Sequence, residues 1–112
     1  MNHSKLKKDF EKEVEKITGQ IKEKYKPDKI ILFGSSAKGN VTENSDIDML
    51  IIKDTNKRRV ERIREVLSIV DYDLPFEPVV FTNEELRKRL ALNDFFIKNI
   101  LKEGKILYGQ KV

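Results

Sequence analysis

Lys29-Ile30-Ile31-Leu32-Phe33-Gly34-Ser35 and Asp46-Ile47-Asp48-Met49-Leu50-Ile51-Ile52 are the two stretches on which the reading of this chain turns. Lys29 to Phe33 is a short β-rich run whose unbroken apolarity predicts a strand covered on both faces. Gly34 leaves that strand, and a residue without a Cβ allows a tight turn and a close approach of backbone to a ligand. Ser35 then opens a loop or short helix through Ser36, Ala37, Lys38 and Gly39. If a helix begins there, free backbone N–H groups and the helix dipole point outward, a ready place for phosphate. The second stretch predicts another strand, with its acids first and its apolar body behind.

Side chains two apart on a strand project from the same face, so the carboxylates of Asp46 and Asp48 converge. Two like charges that close resist ionising unless a cation lies between them. Carboxylate oxygens completed by water and substrate phosphates are what Mg²⁺ prefers. Taken singly, both features have bland readings: Gly-Ser turns are common, and an isolated Asp-x-Asp reads first as a solvent-facing strand end. The combination differs. Ten residues separate Ser35 from Asp46, so adjacent strands joined by that loop carry a phosphate cradle and a metal site to one end of a sheet.

Working outward, Leu6, Phe10, Val14, Ile17, Ile21 and Tyr25 repeat in steps of three or four and predict an N-terminal helix, with Ser4 as N-cap and Pro27 as stop. Val60, Ile63, Leu67 and Val70 predict an amphipathic helix over Lys57 to Val70. Pro75 and Pro78 precede a third strand, Val79-Val80-Phe81, and a proline there points to an edge or a strand end. Thr82 and Glu85 have the spacing of a capping box ahead of Leu86 and Leu90. A last helix is expected from Asn93 to Glu103, with Gly104 as its C-terminal cap. Phe95, Phe96 and Tyr108 are expected in the core. The order is helix, strand, short helix, strand, helix, strand, helix, helix, and a three-stranded sheet packed with helices is the economical fold.

The 112 residues give room for one domain: an N-terminal helix over 1–26 and a core over 28–108. Cysteine is absent, which removes disulfides, zinc thiolate sites and thiol nucleophiles, and fits a reducing cytoplasm. Met1 to Asp9 is lysine-rich without an apolar stretch, which does not read as a signal peptide. Charged residues make up 38% of the chain, but the net charge is only +4. Lys57-Arg58-Arg59 through Arg64, and Arg87-Lys88-Arg89, lack interleaved aromatics and read as solvated helix faces rather than a nucleic-acid surface. His3 reads as a terminal residue without a role.

Gly34-Ser35-Ser36-Ala37-Lys38-Gly39 followed by Ser45-Asp46-Ile47-Asp48-Met49-Leu50-Ile51 resembles the signature of the minimal nucleotidyltransferase (MNT) family of the DNA polymerase beta superfamily. The resemblance runs from Asp28 to Tyr108 and includes the tail Phe96 to Tyr108. It implies an α+β nucleotidyltransferase fold on a small mixed sheet, and transfer of a nucleoside monophosphate from an NTP, by default ATP, to a hydroxyl. It implies two Mg²⁺ ions held by Asp46, Asp48 and a third acid on a later strand. Glu77 matches that position, where the family more often has aspartate; Asp71 and Asp73 are nearby alternatives. Gly34, Ser35, Ser36 and Lys38 are the implied nucleotide-binding residues, Lys38 standing where an arginine is frequent and offering a point charge rather than a bidentate fork. The implied partner is a HEPN-domain toxin, neutralised by adenylylation of a tyrosine; assembly with further copies of the chain is also open.

Three other readings compete. A degenerate site would leave a module that neutralises a HEPN partner by contact, and the acceptor could instead be RNA or a small molecule. An accidental motif on a non-enzymatic α/β domain is the third.

Overall fold

The computed structural model describes residues 3–110, apart from the side chain of His3. Its elements run α1 (His3–Lys24), β1 (Lys29–Phe33), a 3-10 turn (Ser35–Lys38), β2 (Ile47–Ile52), α2 (Arg59–Ile69), β3 (Phe76–Phe81), α3 (Asn83–Ala91), α4 (Phe95–Glu103) and β4 (Lys105–Tyr108). The four strands form one sheet in the order β3-β2-β1-β4. β1 pairs antiparallel with both β2 and β4, whereas β2 and β3 are parallel and joined through α2. A parallel pair needs such a crossover, because a tight turn can only reverse the chain.

The apolar runs Ile30–Phe33 of β1 and Met49–Ile52 of β2 become two cores by simple alternation. Ile30, Leu32, Ile47, Met49 and Ile51 face Phe10, Val14, Ile17 and Ile21 of α1 and Val66 of α2. Ile31, Leu50 and Ile52 face the other way, onto Leu86 of α3 and Ile97 and Ile100 of α4. β3 is an edge strand, as its proline suggests, but it begins earlier than expected, at Phe76, with Pro78 opposite Met49. The Thr82 capping box is present: Thr82 Oγ1 accepts from the Glu85 N–H at 3.1 Å, and Glu85 Oε1 accepts from the Thr82 N–H at 2.8 Å.

Several expectations need correction. The sheet has a fourth strand, Lys105–Tyr108, which the three-strand reading missed. Being short, outermost and largely exposed, it carries no buried run to betray it. Gly104 is the C-cap of α4 as expected, its N–H donating to the Ile100 carbonyl at 2.7 Å, but its backbone is extended rather than left-handed, with φ −72° and ψ 161°. It is small because the hand-over from α4 to β4 is tight: a Cβ there would stand 2.4 Å from the Ile100 carbonyl oxygen and 2.7 Å from Ile31 Cγ2. α1 already runs at His3, so Ser4 lies inside its first turn rather than capping it.

Phe95, Phe96 and Tyr108 are exposed rather than buried, at 82%, 51% and 39%. α4 spends its inward positions on Ile97 and Ile100, which leaves both phenylalanines outward. In α2 the line facing the core passes through Arg62 and Val66, and Val60 is exposed. The basic clusters are therefore not wholly solvated. Buried Arg62 donates from Nη1 to Glu85 Oε1 at 2.6 Å and to the Val80 carbonyl at 3.1 Å, and from Nε to the Lys57 carbonyl at 2.7 Å. Arg59 and Arg89 lie over the Phe81 ring, 4.4 and 5.5 Å from its centroid. Among the described residues no helix is long and apolar enough to cross a membrane.

Candidate active site

Strand register gathers the site. Phe33 at the end of β1 lies opposite Asp48 in β2, and Asp48 lies beside Glu77 in β3. Alternation along each strand puts all three on the α3/α4 face of the sheet, because Leu50 and Ile31 point that way. Asp48 and Glu77 meet although 28 residues, including all of α2, lie between them in sequence; the parallel pairing of β2 and β3 aligns them.

Gly34 then turns the chain with φ 85° and ψ −173°, a backbone region that side-chain-bearing residues avoid. The same glycine lets the Asp48 carboxylate in: a Cβ at residue 34 would stand 2.7 Å from Asp48 Oδ2. The 3-10 turn that follows is locked by Ala37 N–H to the Gly34 carbonyl at 3.2 Å and Gly39 N–H to the Ser36 carbonyl at 3.1 Å. Ser36 is buried and donates from Oγ to the Asp46 carbonyl at 3.2 Å, tying the turn to the start of β2. Ser35 is exposed beside the site. Ser36 thus acts here as a strut between turn and strand.

Burial pushes the Asp48 carboxyl up to about 6, reinforced by the hydrogen bond and charge of Glu77 and then by the charge of Asp46. Asp46 is exposed, one residue ahead of β2. Asp48 and Glu77 therefore come together, with Asp46 within electrostatic reach. Among the described residues, however, no three carboxylate or imidazole groups are close enough to form a ready-made metal cage. Asp71 and Asp73 belong elsewhere, held against α1: Lys16 Nζ donates to Asp73 Oδ2 at 2.7 Å, and the Asp71 N–H donates to Gln20 Oε1 at 2.8 Å.

Lys38, the expected phosphate contact, is engaged in an ion pair with Glu103 at the end of α4. The hydrogen bond and charge of Lys38 hold the Glu103 carboxyl below its usual range. Between them, a cavity of about 330 Å³ opens from Phe33, Gly34 and Ser35 to Phe96, Asn99 and Glu103 of α4. Sequence reasoning missed this wall, because nothing in the spacing of Phe96 and Asn99 shows that α4 folds back over the Gly34 turn. A larger groove of about 540 Å³ lies on the α1 face. It touches neither Phe33 nor Gly34, the residues that abut Asp48, so size does not mark the site.

The family described as "Polymerase beta, Nucleotidyltransferase" matches residues 15–112. A candidate protein adenylyltransferase of Methanocaldococcus jannaschii is 37% identical over 100 residues, covering 88% of this chain and 97% of the relative. A second protein of that organism with the same description is 31% identical over 86 residues, covering 77% of this chain and 81% of its own length. No solved structure matches the chain significantly. The carboxylate pair beside a glycine turn, on a mixed sheet that the family match spans almost throughout, makes this chain a minimal nucleotidyltransferase of the polymerase beta family.

Proposed function

We propose that this nucleotidyltransferase is a Mg²⁺-dependent protein adenylyltransferase that moves AMP from ATP to a tyrosine hydroxyl of a HEPN-domain partner, as the antitoxin of a toxin–antitoxin pair. The observation that carries the chemistry is the Asp48 carboxylate lodged between Gly34 and Glu77 at one end of the sheet. The description of the M. jannaschii relatives supports AMP as the group and protein as the acceptor. The HEPN partner and the tyrosine rest on resemblance to the MNT family.

The donor set suits a hard cation. Asp48 and Glu77 are pressed together and repel unless a proton or a cation separates them, and all three acids offer oxygen ligands. Asp46, Asp48 and Glu77 would hold Mg²⁺, as two ions in the full site, and the metal supplies charge neutralisation for the triphosphate and a lowered pKa for the acceptor hydroxyl. Gly34 keeps the turn close to Asp48, and Ser35 with the backbone after it offers donors to the phosphates. Lys38 would exchange Glu103 for a phosphate oxygen, a swap between two anions at an exposed site.

In the reaction, the tyrosine oxygen bonds to the α-phosphorus, the bond from that phosphorus to the bridging oxygen breaks, pyrophosphate leaves with the electron pair, and the hydroxyl proton passes to solvent. The chain's own contribution is positioning and electrostatic complementarity. The test is incubation with α-labelled ATP, Mg²⁺ and the protein encoded by the neighbouring gene. Label is expected on a tyrosine of that protein, and it should disappear with Asp48→Asn or with chelator. Neutralisation of the partner without transferred label would leave a contact-only module.

A further inference from the structure

We propose that α4 supplies the nucleobase site: Phe96 stacks the purine of the bound NTP and the Asn99 side chain reads its edge, which selects adenine. This rests on the reading of the carboxylates and the Gly34 turn as the nucleotide site. Phe96, Asn99 and Glu103 lie at helical spacing along one side of α4, and all three line the cavity that begins at Gly34 and Ser35. The cavity is polarised. Its Glu103 end meets Lys38 of the turn, a cation suited to the outer phosphates. Its Phe96 end meets Phe33, the strand partner of Asp48, so it adjoins the carboxylates where the α-phosphate, and hence the nucleoside, must lie.

The aromatic geometry suits a base. Phe96 and Phe33 are edge to face, with centroids 5.7 Å apart and planes at 89°, so Phe33 fixes Phe96 without covering it. Phe96 keeps 51% of its surface exposed while lining the cavity, an arrangement the core does not explain, since Ile97 and Ile100 do the packing. Asn99 is exposed one turn further on, and its side-chain amide makes no hydrogen bond among the described residues. A free amide offers one acceptor and two donors. Its carbonyl can accept from the adenine N6 amino group while its NH₂ donates to N7, the bidentate pairing that asparagine makes with adenine. On that edge guanine presents two acceptors, O6 and N7, so neither orientation of the amide makes both bonds. A volume of about 330 Å³ is at the lower end for a small-molecule site and holds a nucleoside rather than a protein loop.

The test is equilibrium binding of ATP, GTP and inorganic tripolyphosphate, with Mg²⁺, to the full chain and to Phe96→Ala, Phe96→Tyr and Asn99→Ala. Thermal unfolding of each variant verifies the fold. Phe96→Ala is expected to weaken ATP roughly 5- to 150-fold, the span that loss of one base–aromatic stack produces, with tripolyphosphate unchanged and Phe96→Tyr close to wild type. Asn99→Ala is expected to bring ATP and GTP affinities together. Equal ATP affinity in wild type and Phe96→Ala overturns the proposal, as does an equal loss for ATP and tripolyphosphate. Unchanged ATP binding with lost transfer to a protein acceptor overturns it too, and would assign Phe96 to the partner. Wild-type protein that binds neither ATP nor tripolyphosphate sinks the nucleotide site itself, an outcome separate from the others.

Discussion

The carboxylate of Asp48 fills the space that any side chain at residue 34 would need, since a Cβ on Gly34 would stand 2.7 Å from Asp48 Oδ2. Glycine is required twice there, by that contact and by a φ of 85°. Gly34→Ala should therefore strain the turn by about 1–3 kcal/mol and push Asp48 off its position. We expect a modest fall in Tm and a fall in kcat/KM of about 100-fold or more, because a displacement near 1 Å costs on that order. A variant of normal stability and normal turnover would show that the turn and the acid work independently.

Asp48 is itself costly to the fold, being half-buried beside Glu77 and within reach of Asp46's charge. Asp48→Asn removes the like-charge repulsion while keeping the shape, so its Tm should equal or exceed that of wild type while transfer is lost. The same repulsion predicts that Mg²⁺ or Mn²⁺ raises the wild-type Tm by binding only the folded state, and that Asp48→Asn blunts this rise. Equal metal-induced shifts in both proteins would separate metal binding from Asp48.

How far the site was legible follows from how each part is specified. Gly34 and Asp48 could be placed from local rules, turn chemistry and strand alternation, whereas Asp46 lies one residue ahead of β2, where alternation no longer fixes its direction, and acts on Asp48 through its charge alone. Glu77 needed a family pattern, since its place beside Asp48 depends on parallel pairing across a helical crossover. β4 was invisible, because an exposed edge strand of four residues has no buried face to imprint a pattern. Phe95 and Phe96 were misjudged by composition: apolar residues favour the core, yet α4 is short and its two inward positions were already taken. Arg62 is the reverse case, a charge inside a basic run that tertiary structure buries because Glu85 and the Val80 carbonyl wait for it.

That buried pair makes its own prediction. Arg62→Met fits the space but takes the guanidinium donors away from the Val80 and Lys57 carbonyls and one of two donors away from Glu85 Oε1. Glu85 is partly exposed and keeps its bond to the Thr82 N–H, so water offsets some of the loss. Chemical denaturation should show a loss of about 2–4 kcal/mol, below the upper range for a fully buried pair. Glu85→Ala should cost a similar amount, since it also removes the reciprocal half of the α3 capping box. The double variant should be less destabilised than the sum of the two, because both singles break one network.

Glu13 offers the pH test away from the active site. It is buried on α1, where burial alone would raise its carboxyl pKa, but the Asp73 N–H, Lys16 and the Leu74 N–H outweigh burial and lower it below 4.5. Lys16 Nζ stands 3.0 Å away and the Leu74 N–H donates at 3.1 Å, so the ionised form is the one the fold prefers. A carboxyl whose folded pKa is depressed stabilises the protein above its unfolded pKa, and that contribution fades as pH falls through the unfolded and then the folded value. Glu13→Gln keeps an acceptor for the Asp73 N–H but has no charge to titrate. The wild type should therefore be the more stable at pH 7, by about 1–2 kcal/mol for a charge-assisted bond replaced by a neutral one. Its advantage in Tm should shrink steadily as pH is lowered below 4.5. A difference between the two proteins that stays constant across that range would mean that Glu13 is held by shape and hydrogen bonding alone, with its charge contributing nothing.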